Sequence, residues 1–404
     1  MGLNDTPSGE RLHIGFFGRR NAGKSSLVNA VTQQETAIVS SEKGTTTDPV
    51  FKAMELLPLG PVMLIDTPGF DDDAGTLGRL RVKKTRQILN KTDIAVLVID
   101  SNTGITPSDE ELLALFREKA IPFLIAWNKC DKRNVWPKPS VENEILVSAA
   151  KKSGIEELKE QLTRLVPAEK NRTFIRDMLS PGDLVLLIIP IDKAAPKGRL
   201  ILPQQQAIRD ILEANALPIV CRESETAIAL ENLKKPPVLA VCDSQIFKKA
   251  AASVPSAIPL TSFSILMARY KGFLNEAVEG AAALAHLKNG DRILIAEGCT
   301  HHRQCNDIGT VKIPHWLKEY TGKQLHIETS SGHSFPDELG NYRLIVHCGG
   351  CMLNQREMMY RMKCAKDQGV PMTNYGTLIA HLHGILDRSL RLFPHLAAKV
   401  REKP

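Results

Sequence analysis

The chain of 404 residues has no apolar run long enough to cross a membrane; its longest, "LVLLIIPI" at Leu184–Ile191, has the length of one buried strand. The first strand pattern begins so early that no secretory leader is expected, and no membrane association. "MGLNDT" does match the myristoylation pattern Met-Gly-x-x-x-Ser/Thr, a pattern too short to carry an expectation. Tandem repeats and low-complexity tracts are absent. Charge of one sign is scarce as well: the net charge is +7, and lysines and arginines cluster only briefly, as in "RLRVKKTR" at Arg79–Arg86. Such a cluster reads as a solvated helix face, so a nucleic-acid partner is not expected. Eight cysteines spread over so long a chain exclude a disulfide framework. Their local clustering points instead to a reducing cytoplasm and a metal.

What is present is ordinary globular composition, 43% hydrophobic and 24% charged, in a length that suits two or three domains. The expected fold class is α/β: an N-terminal P-loop fold over residues 1–166, then two smaller α/β domains with mainly parallel sheets, over 172–266 and 267–404. In the first, the short apolar strands "LHIGFFG", "VMLIDT", "IAVLVID", "PFLIAWN" and "EILVSA" alternate with helical patterns. The charged stretch Val166–Asp183 reads as a linker. The second domain repeats the rhythm without glycine-rich loops, which leaves architecture or association as its role. The third holds strands "DRILIAE", "KQLHIET" and "YRLIVHC" and a long helix from about Asn354.

"GRRNAGKS" at Gly18–Ser25 fits Gly-x-x-x-x-Gly-Lys-Ser between a strand and a helix. Gly18, Asn21, Ala22, Gly23, Lys24, Ser25 and Ser26 are therefore expected to cradle phosphates with backbone N–H groups. Lys24 reaches the β- and γ-phosphates, and the Ser25 hydroxyl ligates Mg²⁺. "DTPG" supplies Asp66 on the Mg²⁺ side and Gly69 as a γ-phosphate sensor, and "GTTTD" at Gly44–Asp48 supplies a switch threonine. "NKCD" brings Asn128, Lys129 and Asp131, and "SAA" brings Ser148 and Ala149, to the base. A carboxylate at Asp131 pairs with guanine N1 and N2; adenine would leave it unpaired, at a cost of about 1–3 kcal/mol. The ordered set reads as a GTP-binding, GTP-hydrolysing domain, with Lys24, Thr46, Asp66 and Gly69 in catalytic roles.

Near the other end stand "EGCTHHRQC" at Glu297–Cys305 and "HCGGC" at His347–Cys351, each directly after a predicted strand. In a parallel sheet the loops after the strands gather at one edge. Cys299, Cys348 and Cys351 are expected to converge there, with His301 and His347 close by and Cys305 either a spare ligand or a bystander. Structural zinc and a 4Fe–4S cluster with one accessible iron both suit such donors. Cys130, Cys221, Cys242 and Cys364 read as core residues.

The first domain resembles the tRNA-modification and ribosome-assembly branch of GTPases. That resemblance implies a K⁺ ion at Asn21 and Thr46 as the Mg²⁺-binding switch threonine. Phe70 follows "DTPG" where Ras-like proteins carry a water-orienting glutamine, so hydrolysis is expected to be slow. The whole chain, by Cys299, His301, His347, Cys348 and Cys351 together with the phosphate loop, resembles the GTPase maturation factors of FeFe-hydrogenases, the HydF family. The resemblance implies a 4Fe–4S cluster on the three cysteines, with the fourth iron site labile or bound by a nearby histidine, His301 or His347. It also implies a transient di-iron precursor as cargo, radical-SAM maturases and the immature FeFe-hydrogenase as partners, and a homodimer through the middle domain. The alternative is an RNA- or ribosome-associated GTPase with a structural zinc module. From Asn21 we expect GTP hydrolysis to run faster in K⁺ than in Na⁺, and Asn21→Ala to erase most of the difference. Equal wild-type rates in the two salts would refute the cation site.

Overall fold

The computed structural model describes residues 6–32, 48–70, 84–132, 143–166, 173–191, 200–298, 307–332 and 335–401. The chain divides into two compact units, Thr6–Lys170 and Asn171–Pro404. The first unit is built on six strands: β1 Leu12–Phe17, β2 Val50–Leu56, β3 Gly60–Asp66, β4 Ile94–Asp100, β5 Phe123–Asn128 and β6 Glu144–Leu146, in the order β2-β3-β1-β4-β5-β6. All pairings are parallel except β2 against β3. Alternate side chains of each central strand feed different cores. Ile14, Phe16, Val62, Leu64, Val96 and Val98 pack on one face. Phe17, Ile65, Ala95, Leu97 and Ile99 pack on the other. Burial on both faces is why these strands appear in the sequence as unbroken apolar runs.

The second unit holds two four-stranded sheets, both parallel throughout. β7 Leu184–Ile188, β8 Leu217–Cys221, β9 Leu239–Cys242 and β10 Leu260–Ser262 are ordered β10-β9-β7-β8. β11 Arg292–Glu297, β12 His326–Ser331, β13 Leu344–His347 and β14 Met372–Asn374 are ordered β12-β11-β13-β14. One hydrophobic core runs through both, from Leu187 and Val241 by way of Leu266 and Met267 to Ile295 and Val346. Between the sheets lies the helix Phe263–Lys271, started by Ser262 Oγ accepting from Ile265 N at 3.2 Å and ended at Gly272 with φ 87°. It buries Phe263, Ile265, Leu266, Met267, Ala268 and Lys271. The expected boundary at residue 266 falls inside this helix.

The α/β class with mainly parallel sheets is the one expected. Two local readings differ. β2 lies at the sheet edge, mostly exposed, with Lys52 and Glu55 in it, so its pattern is too polar to stand out. The segment read as a linker is packed at its middle. Phe174 and Ile175 are buried in the second unit's core. The N–H groups of Ile175 and Arg176 both donate to Asp210 Oδ2 at 2.6 Å.

Two units with separate cores should unfold in two transitions. In calorimetry, guanine nucleotide with Mg²⁺ should raise one of them. Leu266→Ala and Ile295→Ala, each at a fully buried site and each costing about 2–5 kcal/mol, should both lower the other. Independent transitions for those two variants would overturn the shared core.

Candidate functional site

The loop between β1 and the helix Lys24–Thr32 takes positive φ at Gly18 (134°), Asn21 (61°) and Gly23 (93°). That backbone curls the loop into a concavity of the kind that binds anions through N–H groups. Gly23 is fixed by crowding: a Cβ there would stand 2.2 Å from Asn128 Nδ2. Asn128, buried at the end of β5, donates from Nδ2 to Ala22 O at 2.9 Å and accepts at Oδ1 from Ala149 N at 3.1 Å. It thereby ties the phosphate loop to the "SAA" loop. Lys129 Nζ donates to Asn21 O at 2.6 Å and to Asp100 Oδ2 at 2.7 Å. Ser148 Oγ donates to Asp131 Oδ1 at 2.6 Å, and this bond holds the exposed Asp131 carboxyl below its ordinary range. The Asp131 carboxylate is therefore ionised at neutral pH.

Lys24 Nζ donates to Gly18 O at 2.9 Å and Arg19 O at 2.8 Å. Ser25 Oγ donates to Asp66 Oδ2 at 2.5 Å, while Asp66 Oδ1 is buried with no hydrogen-bond partner among the described residues. Burial pushes the Asp66 carboxyl up, against the pull of Ser25 and Lys24. A desolvated carboxylate oxygen beside a serine hydroxyl is a donor set for a hard cation, so these residues fit Mg²⁺. Past Asp66 the chain is sewn to the phosphate loop. Thr67 Oγ1 donates to Phe16 O at 2.7 Å, Phe70 N donates to Gly18 O at 3.2 Å, and a Cβ on Gly69 would meet Arg20 Cγ at 2.3 Å. Thr46 lies outside the described residues. Two contributors escaped the sequence reading: Asp100, which holds Lys129, and Ser101, whose Oγ donates to Asn128 O at 2.5 Å. Their signal was positional, since Asp100 stands opposite Asn128 across the β4–β5 pair.

At the second candidate site, β11 and β13 are adjacent parallel strands with Ala296 opposite His347. Gly298 and Cys348 thus emerge side by side, and Gly298 N donates to Cys348 Sγ at 3.0 Å. Gly350, at φ 66°, brings a second N–H to the same sulfur at 3.4 Å. Cys348 and Cys351 are half-buried. Cys299, His301 and Cys305 lie outside the described residues, and among the described residues no three metal-ligating side chains gather. Two half-buried thiols, one of them already accepting N–H bonds, form a donor set that fits a thiolate-held cluster.

His347 is fully buried and both its ring nitrogens are engaged, with Arg361 at 3.1 Å and with Cys348 O at 2.8 Å. Burial and the Arg361 charge push its pKa down to about 3. Unforeseen from sequence are the buried Glu297 and Tyr375, whose hydroxyl donates to Glu297 Oε1 at 3.1 Å. Of the other cysteines, Cys242 is fully buried, with its thiol pushed well up by burial, while Cys130, Cys221 and Cys364 are half-buried.

The fold and the first site define a P-loop GTPase domain, and a family model described as 50S ribosome-binding GTPase matches residues 13–129. Residues 13–129 thus lie in a GTPase domain. The remainder matches the hydrogen maturase F dimerization domain over residues 174–272 and the hydrogen maturase F tetramerization domain over 275–392. These two together span more than half of the chain, which belongs to the hydrogen maturase F family. Curated relatives match the first domain. The tRNA modification GTPase MnmE of Desulforamulus reducens is 31% identical over 41% of this chain and 36% of its own length. That of Chloroflexus aurantiacus is 40% identical over 35% and 32%. The chain thus spans about a third of the length of these relatives. Among solved structures, Era of Aquifex aeolicus bound to GDP and AlF4⁻ aligns at 20% identity over 52% of this chain and 92% of its own, with a TM-score of 0.35.

Asp131→Asn reverses the donor and acceptor pattern facing the base. We expect preference to pass from GTP to xanthosine triphosphate by about 10²-fold or more. Competition binding in which GTP stays preferred would refute the base assignment.

Proposed function

We propose that the chain is a FeFe-hydrogenase maturation GTPase: a scaffold that binds a 4Fe–4S cluster, accepts a di-iron precursor and delivers it to the immature hydrogenase. The single observation behind this reading is the Gly298 N–H to Cys348 Sγ bond, which sets the neighbour of Cys299 against the Cys348–Cys351 loop. Cys299, Cys348 and Cys351 would hold the cluster, which supplies an iron site open to exchange. The chain's own part would be to hold three thiolates, two of them in the loop after β13, and to hydrogen-bond that of Cys348. The di-iron unit is cargo, received by way of radical-SAM maturases. Family models named for dimerization and tetramerization support assembly into homo-oligomers, the dimer through the middle module. We infer a cytoplasmic location; among the described residues no helix is long and apolar enough to cross a membrane.

In the first unit, Lys24 would neutralise the β- and γ-phosphates, Ser25 and Asp66 would hold Mg²⁺, and Asp131 would select guanine. Thr46 would close over the metal and Asn21 would bind K⁺. Phe70 is buried and apolar, so it cannot orient a water. Turnover is accordingly slow, and the domain acts as a switch on partner association.

Each of Cys299→Ser, Cys348→Ser and Cys351→Ser replaces a soft thiolate by a hard hydroxyl. Cluster loading should collapse, with GTP turnover close to wild type. Lys24→Ala should lower turnover by roughly 10²-fold and leave the visible and EPR spectra of the cluster intact. Both classes should fail to activate hydrogenase. Stoichiometric zinc with co-purifying RNA, and no sulfur-to-iron absorption after anaerobic reconstitution, would overturn the proposal in favour of a zinc-bearing RNA-associated GTPase.

A further inference from the structure

The loop that carries Cys348 and Cys351 is held at its ends by two buried cations. At its start, Arg361 Nη1 lies 3.1 Å from His347 Nε2. An arginine can only donate, so Nε2 is the acceptor and carries no proton. The neutral ring then carries its proton on Nδ1, which donates to Cys348 O at 2.8 Å. Arg361 is itself fixed: Nη2 donates to Glu357 Oε1 and to Gly332 O, both at 2.7 Å, and the guanidinium lies 5.0 Å from the centre of the Phe335 ring. Glu357 and Arg361 stand one turn apart on the helix Gln355–Asp367, whose N-terminus Asn354 caps by accepting from Glu357 N at 3.0 Å. At the loop's far end, Lys271 Nζ donates to Leu353 O at 2.9 Å. Arg361 and Lys271 are 2% and 1% exposed, so neither bond is diluted by solvent.

We propose that His347 is a positioning residue for the cysteine loop and not a metal ligand: with Arg361 it locks the Cys348 backbone so that Cys348 Sγ meets the N–H groups of Gly298 and Gly350. This rests on the cluster-scaffold reading above. A histidine binds metal through a nitrogen lone pair, and the one lone pair left on this ring already accepts from a buried guanidinium. Ligation by His347 would strand Arg361 Nη1 in the interior. The lock also means that the order the loop needs is imposed on folding and not at the moment of metal binding.

The two roles separate in one set of variants of the full chain, titrated anaerobically with ferrous iron and sulfide. Glutamine at 347 can still accept from Arg361 and donate to Cys348 O, yet it offers no imidazole nitrogen. His347→Gln should therefore load close to wild type, with the histidine-nitrogen couplings in pulsed EPR of the reduced cluster unchanged. His347→Ala and Arg361→Met should each weaken iron binding about tenfold or more, as losses next to metal ligands do. Loading of Arg361→Met at or above wild type, or a nitrogen coupling lost in His347→Gln, would overturn the proposal. Normal loading of Cys348→Ser would instead sink the cluster reading itself. The lock is then read in the metal-free protein by thermal unfolding. There Arg361→Met and His347→Ala should each lower the midpoint, and the pair together no further than the larger single change. Additive shifts would refute the lock. If Arg361→Met does not fold, Arg361→Lys replaces it, and His347→Gln still decides between ligand and lock.

Discussion

Parallel pairing is the constraint from which both sites follow. When neighbouring strands run the same way, every following loop is delivered to one edge, and residues distant in sequence must meet there. In the first unit this brings Gly18 after β1, Asp100 at the end of β4, Asn128 at the end of β5 and Ser148 after β6 to a common edge. In the third sheet it brings Gly298 after β11, His347 and Cys348 at β13, and Asn374 at β14 together in the same manner. Neither site needs a loop to search for its partner, because strand register has already set the approach.

What strand ends bring together must also be satisfied there. Polar groups at the carboxyl edge are partly desolvated, and leaving one unpaired costs about 1–3 kcal/mol. Asn128 spends its amide on two loops, and its carbonyl accepts from Ser101. Asn374 does similar work in the second unit, with Nδ2 on Ser264 O and Oδ1 accepting from Thr377 N. Asp66 Oδ1 is one of several buried side-chain atoms without a partner among the described residues, and it is the one beside the Ser25 hydroxyl, where a cation would complete it.

How much of this could be read beforehand depended on whether the cause was local. The central strands are legible because burial on both faces writes itself as an apolar run. β2 and the three-residue β14 are not, since an edge strand needs little apolar content and takes its pairing from a neighbour. Phe174 and Ile175 looked like linker because charged residues surround them; only their packing against the core reveals otherwise. The phosphate loop and "NKCD" are legible because the chemistry fixes residue type at fixed spacing. His347 is the instructive case. Its place beside a cysteine pair suggested ligation, while its buried hydrogen-bond partner, Arg361, lies fourteen residues on in a helix that the sequence showed only as a long helix. Burial of Arg361, Glu357 and Lys271 is a tertiary fact with no local signature.

The helix Phe263–Lys271 belongs by family to the middle module, yet it bears on the next one. Ser264 Oγ accepts from Gly376 N at 3.1 Å, and Lys271 holds Leu353 O at the end of the cysteine loop. A module boundary drawn near residue 272 therefore separates buried partners. The two halves are not interchangeable parts: a shuffled gene that kept one and replaced the other would have to recover a serine, a lysine and a helix packed on all sides before its cysteines could stand where they do here. Packing thus ties the two modules to one another, whatever each was first selected for.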